Sequence, residues 1–173
     1  MKIVAFAASS SSQSINKQLV GFAASLVLDA EVELLDLNDF ELPLFSQDKE
    51  QLLGQPQLAK DFLQKLASAD AILVSFAEHN GSYSAAYKNL FDWCSRIDGK
   101  VFQNKPCVFL STSPGARGGA SVLAQAVNSA PYFGAELKGS LSVPSFSAVF
   151  DTKEQALTEP KLFAELTQII KLL

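Results

Sequence analysis

Residues 75–96 read SFAEHNGSYSAAYKNLFDWCSR and pass from the end of an apolar run, through a polar loop, into an amphipathic segment. The apolar run, Ala-Ile-Leu-Val at residues 71–74, has the length and composition of a strand that is buried on both faces. Behind the loop, apolar residues recur at helical spacing; these are Ala86, Leu90, Phe91, Cys94 and Ile97. Because open parallel sheets bind ligands at the carboxyl ends of their strands, we expect the chemistry in the intervening loop. That loop consists of Glu78, His79, Asn80, Gly81 and Ser82.

The same order of strand, loop and helix recurs along the chain. Strands are predicted over residues 3–7, 32–36, 71–74 and 107–110, with a fifth, less regular strand near residues 136–143. Helical spacing predicts helices that begin near residues 15, 58, 86, 122 and 160. Thr158 is the expected N-cap of the last helix, with Pro160 in its first turn. Residues 38–47 are expected to form an irregular loop around Pro43.

Strands that are apolar on both faces need helices on both sides of their sheet. The sequence therefore predicts an α/β protein: a three-layer sandwich whose five-stranded parallel sheet has the order 2-1-3-4-5. A length of 173 residues and a hydrophobic content of 48% suit a single domain over residues 1–173. In this strand order, the loops after the first, third and fourth strands converge on one crevice.

Charge and hydropathy exclude two classes of partner. A formal net charge of −4, with 18% charged residues, leaves no basic stripe for a nucleic acid. No apolar run approaches the roughly 18 residues of a membrane span, and the apolar start of the chain is too short for a signal peptide. We therefore expect a cytoplasmic protein that does not bind membranes. Cys94 and Cys107 lie in apolar stretches without C-x-x-C spacing, and we expect both to be reduced core residues.

The first loop of the crevice contains Ser9, Ser11 and Ser14, and the helix after it starts with Ile15 and Asn16. A helix N-terminus exposes unpaired backbone N–H groups, and together with several hydroxyls it makes a phosphate cradle. The alternative is that Ser14 only caps the helix and the other serines solvate a turn. The loop has neither the G-x-x-x-x-G-K-[ST] nor the G-x-G-x-x-G pattern, which excludes the ordinary triphosphate and dinucleotide loops.

In the second loop, Asn80 and Gly81 allow a tight turn that aims backbone amides into the crevice. Such a turn suits the edge of a planar heterocycle such as flavin, although a purely structural turn is the simpler alternative. His79 is the only histidine of the chain. There is no G-x-S-x-G elbow and no set of metal ligands around it, which argues against a hydrolase and against a metal site.

The third loop contains Gly115, Gly118 and Gly119, which would let a ligand approach the backbone closely, with Arg117 between them. We expect Arg117 to face solvent or another subunit rather than a cofactor. A receiver domain shares the strand order but needs acidic residues after the first and third strands. Those places hold Ala-Ser at residues 8–9 and Phe-Ala at residues 76–77, which excludes that class.

At these residues the chain resembles the NADPH-dependent FMN reductase family of flavodoxin-like proteins. The family's loop after the third strand reads P-E-Y-N-G-S and is followed by K-N-x-x-D-W; here residues 77–82 read AEHNGS and residues 88–93 read KNLFDW at matching spacing. Residues 111–119, STSPGARGG, are similar to the family's S-x-S-P-G-x-x-G-G loop, and residues 42–48, LPLFSQD, to its L-P-x-[FY]-x-x-D connection. The similarity runs over nearly the whole chain.

The resemblance implies a flavodoxin-like fold that binds FMN noncovalently. It implies that the FMN phosphate lies on Ser9, Ser11, Ser14, Ile15 and Asn16. It implies that the flavin ring lies along Glu78, His79, Asn80, Gly81 and Ser82, with Ser113, Pro114 and Gly115 nearby. NADPH or NADH would pass a hydride to FMN in a ping-pong cycle, and a small acceptor such as a quinone, an azo compound, a metal oxyanion or free flavin would then be reduced. No residue of the chain is assigned as a catalytic acid or base.

The resemblance also implies a homodimer or a homotetramer built as a dimer of dimers. The helix that carries Tyr83, Tyr87 and Trp93 is the predicted interface, since aromatic residues are enriched at such surfaces. The same aromatic residues would equally suit core positions.

The chain departs from the family pattern at four places. Ala8 replaces a glycine and Ser11 an arginine in the phosphate loop, while Ala77 replaces a proline and His79 a tyrosine in the second loop. A charge-assisted hydrogen bond is worth roughly 1.5 to 3 kcal/mol, so loss of the arginine predicts weaker FMN binding unless another cation compensates. Two alternatives to a reductase stay open: a flavodoxin-like electron carrier, although the chain lacks the T-x-T-G-x-T loop, and a flavin-depleted regulatory or interaction module.

Overall fold

Five parallel strands form the central sheet of the computed structural model, which describes residues 1–173. In chain order the strands are β1 (Lys2–Ala8), β2 (Glu31–Leu35), β3 (Ala71–Phe76), β4 (Glu78–His79), β5 (Ser82–Tyr83), β6 (Lys105–Thr112), β7 (Ala135–Val143), β8 (Phe150–Asp151) and β9 (Ala156–Leu157). The sheet has the order β2-β1-β3-β6-β7, and all its pairs are parallel. Since β6 and β7 are its fourth and fifth strands, the predicted order 2-1-3-4-5 is confirmed. The remaining strands form two short hairpins, β4-β5 and β8-β9.

Helices cover both faces of the sheet. They are α1 (Ile15–Ser25), α2 (Gln47–Leu53), α3 (Gln57–Ala67), α4 (Ala85–Ile97), α5 (Ala120–Ser129), α6 (Phe146–Val149) and α7 (Pro160–Ile170), with 3₁₀ turns at Leu37–Phe40 and Ala130–Phe133. One hydrophobic core holds 27 buried residues between the sheet and α3, α4 and α5. The other holds 17 buried residues between the sheet and α1 and α7. The predicted three-layer sandwich is therefore confirmed.

The connection after β2 differs from the predicted irregular loop. Its first part is the 3₁₀ turn Leu37–Phe40, in which Leu37 and Phe40 are buried and the Asp36 carboxylate accepts a hydrogen bond from the Asn38 N–H at 3.0 Å. Residues 41–46 are irregular, as predicted, and α2 follows at once. Helix α2 buries no residue, so no apolar periodicity marks it in the sequence.

The N-cap of α7 also differs from the prediction. The capping residue is Glu159, whose carboxylate accepts a hydrogen bond from the Leu162 N–H at 2.7 Å, and not Thr158. The Thr158 N–H instead donates to the Val149 carbonyl at 2.8 Å, which ties that residue to the connection after α6. Pro160 occupies the first turn, as predicted.

Both cysteines are free and buried, which confirms their prediction as reduced core residues. Burial raises the pKa of each thiol, Cys94 and Cys107, to about 12. None of the helices is both long enough and apolar enough to cross a membrane.

The aromatic residues of the predicted interface lie mostly inside the chain. Trp93 is fully buried and Tyr87 is buried, so neither side chain is available at a subunit surface, while Tyr83 is half-buried. The homodimer or dimer of dimers stays a prediction, and an interface on α4 would have to use the exposed side of that helix.

Candidate functional site

Three loops meet at the carboxyl edge of the sheet, because the strands that carry them are neighbours. Residue Ala8 at the end of β1 lies opposite Phe76 at the end of β3, and Phe76 in turn lies opposite Ser111 near the end of β6. The serine loop (residues 9–14), the hairpin β4-β5 with its turn, and the glycine loop (residues 113–119) therefore start side by side. The three loops therefore share one edge of the sheet, as the predicted strand order requires, while their role as a binding site stays a prediction.

The side chain of Asn16 joins the ends of β3 and β6 to α1. Its Oδ1 accepts hydrogen bonds from the Ser75 hydroxyl at 2.7 Å and from the Thr112 N–H at 3.0 Å, and its Nδ2 donates to the Thr112 carbonyl at 3.1 Å. All three residues are buried. The Asn16 side chain is therefore committed within the protein, and only its backbone N–H can serve a ligand.

The serine loop has hydrogen-bond donors that lack a protein partner. The hydroxyl oxygens of Ser9, Ser11 and Ser14 each accept a backbone N–H of the loop or of the first turn of α1, at 3.2 to 3.3 Å. Ser14 is thereby the N-cap of α1, as the simpler reading of the sequence predicts. None of these hydroxyls donates to a protein acceptor, and the N–H groups of Ile15 and Asn16 have no protein partner. The donors left over suit an anion at a helix N-terminus.

The cations nearest to the loops in the sequence are already engaged. The Lys17 ammonium contacts the Asp36 carboxylate at 2.6 Å, and this hydrogen bond lowers the pKa of the Asp36 carboxyl. The Arg117 guanidinium donates to the Ser121 hydroxyl at 2.7 Å on the surface of α5. Arg117 thus lies in an exposed position, as predicted. Neither side chain therefore replaces the positive charge that an arginine at position 11 would bring to the serine loop.

The second loop is a two-residue hairpin turn at Asn80 and Gly81, between β4 and β5. Both residues have positive φ, 52° and 80°, as a tight hairpin turn of this hand requires. The predicted tight turn is therefore confirmed. The N–H groups of both residues have no protein partner, and a Cβ at Gly81 would meet no atom within 4 Å. The turn presents two free backbone donors next to open space.

Side chains of the hairpin hold it against α5. The Glu78 carboxylate accepts the Val122 N–H at 2.9 Å and so caps the N-terminus of α5, whose own N-cap residue, Gly119, has no side chain to do this. The Ser82 hydroxyl donates to the Gln125 side-chain oxygen at 3.0 Å. Glu78 and Ser82 therefore position the turn, while His79 beside it is exposed.

The glycine loop differs from its prediction at two of three glycines. A Cβ at Gly118 would lie 2.5 Å from the Ser142 hydroxyl and 2.8 Å from the backbone of β7, and a Cβ at Gly119 would lie 3.1 Å from Ser111. These glycines allow close packing of the loop on the sheet, not the approach of a ligand. A Cβ at Gly115 would meet only the Ser113 hydroxyl, at 3.9 Å, so this glycine leaves room for a ligand. Gly115 and Pro114 are exposed, and Ser113 is half-buried.

The helix behind the hairpin holds the connection between β2 and α2. The Asn89 side chain accepts the Phe45 N–H at 2.8 Å and donates to the Leu42 carbonyl at 3.0 Å. The indole N–H of the buried Trp93 donates to the Pro43 carbonyl at 2.8 Å. The KNLFDW and LPLFSQD motifs, which stand far apart in the sequence, therefore contact each other in the structure.

A groove of about 420 Å³ runs between this connection, the serine loop and the start of α4. Its lining residues include Ser10, Leu42, Leu44, Ala85, Ala86 and Asn89. In the sequence, residues 42–48 resemble a connecting segment of the family, and nothing places them at the crevice. Their place in a groove beside the serine loop depends on the Asn89 and Trp93 contacts, which no local pattern reveals.

The sequence model of the NADPH-dependent FMN reductase family matches residues 1–149. A 2-hydroxy-1,4-benzoquinone reductase from Burkholderia sp is 38% identical over 120 residues, which cover 68% of this chain and 63% of the relative. An NAD(P)H-dependent FMN reductase from Pseudomonas aeruginosa is 32% identical over 119 residues, with coverage of 68% and 63%. The match therefore spans less than two thirds of the length of these relatives.

Among solved structures, FerB, a flavoenzyme NAD(P)H:(acceptor) oxidoreductase from Paracoccus denitrificans, matches with a TM-score of 0.80 at 23% identity. The match covers 98% of this chain and 93% of that one. Similarity at this level of identity concerns the fold, and it confirms the flavodoxin-like architecture.

The Asn16 contacts predict that Asn16→Ala destabilises the protein by about 3 kcal/mol, because the Ser75 hydroxyl and both backbone groups of Thr112 lose their buried partner. Urea unfolding followed by far-UV circular dichroism measures this change. Asn128→Ala, at an exposed position of α5, is the matched control and should stay within about 0.5 kcal/mol of the unchanged protein. Equal stability of the two variants would contradict the role of Asn16.

Proposed function

The chain belongs to the NADPH-dependent FMN reductase family, and from that premise we propose that it is an FMN-dependent oxidoreductase that transfers reducing equivalents from NADPH or NADH to a small acceptor. The acceptor is a quinone, an azo compound, a metal oxyanion or free flavin. The observation that carries the proposal is the convergence of unpaired donors from the serine loop and from the hairpin turn on one edge of the sheet.

The serine loop fits the phosphate of FMN. A phosphate accepts hydrogen bonds through three oxygens, and the loop offers the hydroxyls of Ser9, Ser11 and Ser14 with the N–H groups of Ile15 and Asn16. The dipole of α1 adds a partial positive charge at the same point. Because no arginine is present at position 11, the phosphate would be held by neutral donors.

The hairpin turn fits the polar edge of the flavin ring. The free N–H groups of Asn80 and Gly81 match the carbonyl and ring-nitrogen acceptors of that edge. His79 is exposed beside the turn, where an imidazole can lie against the ring and donate a hydrogen bond. Glu78 and Ser82, which bond to α5, would act by positioning the turn.

When bound, FMN would supply the redox chemistry of a ping-pong cycle, namely hydride transfer from NADPH or NADH and onward reduction of the acceptor. The residues of this chain bind and orient the reactants through backbone and hydroxyl donors. We assign no side chain as an acid or a base.

Purified protein should take up added FMN, with a change in its visible spectrum, and should then oxidise NADPH in the presence of 1,4-benzoquinone under anaerobic conditions. FMN with the quinone but without protein is the control. Absence of both a spectral change and NADPH oxidation would reject the reductase and favour the interaction module. Bound FMN that NADPH reduces only through an added partner would favour an electron carrier.

Ser11→Arg should strengthen FMN binding about 10- to 100-fold, since a charge-assisted hydrogen bond to the phosphate contributes roughly 1.5 to 3 kcal/mol. Fluorescence quenching of FMN measures the dissociation constant. Ser12→Arg adds the same charge at the next exposed position and serves as the control for a general charge effect. Equal gains in both variants would show that position 11 has no special contact with the phosphate.

Gly81→Ala should weaken FMN binding about tenfold, because the methyl group enters the space beside the turn and the positive φ is strained. Gly54→Ala is a matched control: Gly54 also has positive φ, at 68°, and also borders open space, but it ends α2 away from the crevice. Gly81→Ala should cost about 1 to 2 kcal/mol of stability. Gly54→Ala should cost about 1 to 3 kcal/mol, because the Gly54 backbone, with φ 68° and ψ −151°, is a conformation that residues with a Cβ rarely adopt. If both variants bind FMN equally well, the turn is not part of the flavin site.

A further inference from the structure

Ser84 lies between the hairpin β4-β5 and α4, and it is buried, with 1% of its surface exposed. Its hydroxyl donates a hydrogen bond to the Ala8 carbonyl at 2.8 Å and accepts the Tyr87 N–H at 3.2 Å. The bond from Tyr87 makes Ser84 the N-cap of α4. The bond to Ala8 leaves this helix and reaches the last residue of β1, 76 positions away in the sequence.

The bond between Ser84 and Ala8 joins two parts of the crevice. The serine loop starts directly after Ala8, and the Asn80-Gly81 turn comes shortly before Ser84. Apart from the pairing of β1 with β3, no other hydrogen bond joins residues 8–14 to residues 77–84. All other side-chain hydrogen bonds of the hairpin strands go to α5. The direct link between the hairpin and the start of the serine loop therefore depends on one buried hydroxyl.

The serine loop and the hairpin also have separate supports. Asn16 ties the start of α1, and with it the end of the serine loop, to Ser75 and Thr112 of the sheet. The hairpin turn is held by the pairing of β4 with β5 and by its bonds to α5. Loss of the Ser84 hydroxyl would therefore leave each part intact and change the position of one relative to the other.

FMN would have to span these two parts. It has a ring at one end and a phosphate at the other, with a ribityl chain between them, and the proposed site places the ring at the turn and the phosphate at the serine loop. When two contacts belong to one ligand, the second contact forms at a high effective concentration only if the spacing of the two sites matches the ligand. The spacing of the two loops therefore determines how much the phosphate adds to the binding of the ring.

We propose that Ser84 is a positioning residue that sets the spacing between the serine loop and the hairpin turn, and so allows both ends of FMN to bind at once. This inference rests on the proposed FMN site and adds to it a residue that does not contact the cofactor. The Ser84 hydroxyl is buried and bonded to Ala8 and Tyr87, so it acts through the Ala8 carbonyl and the start of α4.

The dissociation constants of FMN and riboflavin test this role, because riboflavin has the same ring and ribityl chain but no phosphate. Quenching of flavin fluorescence measures both constants on the full chain. The unchanged protein should bind FMN more tightly than riboflavin, and the ratio of the two constants reports the gain from the phosphate. Ser84→Ala should lower this ratio about tenfold through weaker FMN binding, with the riboflavin constant within about twofold of its original value.

Two further variants separate the link to Ala8 from the N-cap of α4. Ser84→Gly also removes the hydroxyl, but glycine is a tolerated N-cap, so this variant should lower the ratio as much as Ser84→Ala does. Ser46 caps α2 by accepting the Lys49 N–H at 3.1 Å, and its side chain bonds no residue of the serine loop or the hairpin. Ser46→Ala should therefore keep the ratio of the unchanged protein. Far-UV circular dichroism checks the folding of all three variants.

The proposal is overturned if Ser84→Ala keeps the ratio, or if it weakens the binding of FMN and riboflavin equally. It is also overturned if Ser84→Gly keeps the ratio that Ser84→Ala lowers, because the N-cap would then be the cause. Different results would reject the underlying site itself. An unchanged protein that binds neither flavin would reject the FMN site, and one that binds both equally would reject the phosphate contact of the serine loop.

Discussion

A buried amide at the start of α1 sets the geometry of the crevice. Asn16 offers both an acceptor and a donor, and it uses them to satisfy the Ser75 hydroxyl and both backbone groups of Thr112. A carboxylate could not donate to the Thr112 carbonyl, and a serine hydroxyl is too short to bridge the same gap. Because the amide is bonded within the protein, the ends of β3 and β6 are fixed relative to the N-terminus of α1 before any ligand arrives, which lowers the entropic cost of binding.

The sheet could be predicted from the sequence because its central strands are apolar on both faces, and an apolar run is a local signal. The site's internal contacts are not local. Asn16 bonds a residue 96 positions away, Ser84 one 76 positions away and Glu78 one 44 positions away. Family resemblance placed Asn16 and Glu78 in the site, but which of their atoms remain free for a ligand depends on these distant partners. Helix α2 could not be predicted for a different reason: it buries no residue, so its sequence has no apolar periodicity.

The crevice has backbone and hydroxyl donors that would suit an anion, but it has little free positive charge. Lys17 is neutralised by Asp36 and Arg117 turns along α5 to Ser121, so hydroxyls, amides and a helix dipole remain. Hydrogen bonds from neutral donors depend on distance and angle, whereas ionic attraction acts over several ångströms and is screened by salt. An anion held in this way would be selected by shape more than by charge, and its binding would depend only weakly on ionic strength.

The hairpin β4-β5 connects the end of β1 to α5. A two-stranded ribbon of two residue pairs is not stable on its own, so its position is set by its neighbours. Glu78 and Ser82 fasten it to Val122 and Gln125 on α5, while Ser84 fastens its end to the Ala8 carbonyl at the end of β1. A cavity of about 210 Å³ lies between α4 and α5, and Tyr83 of the hairpin is one of its lining residues. Any displacement of α5 away from α4 would therefore move the turn relative to the serine loop, since one attachment would shift while the other stayed in place.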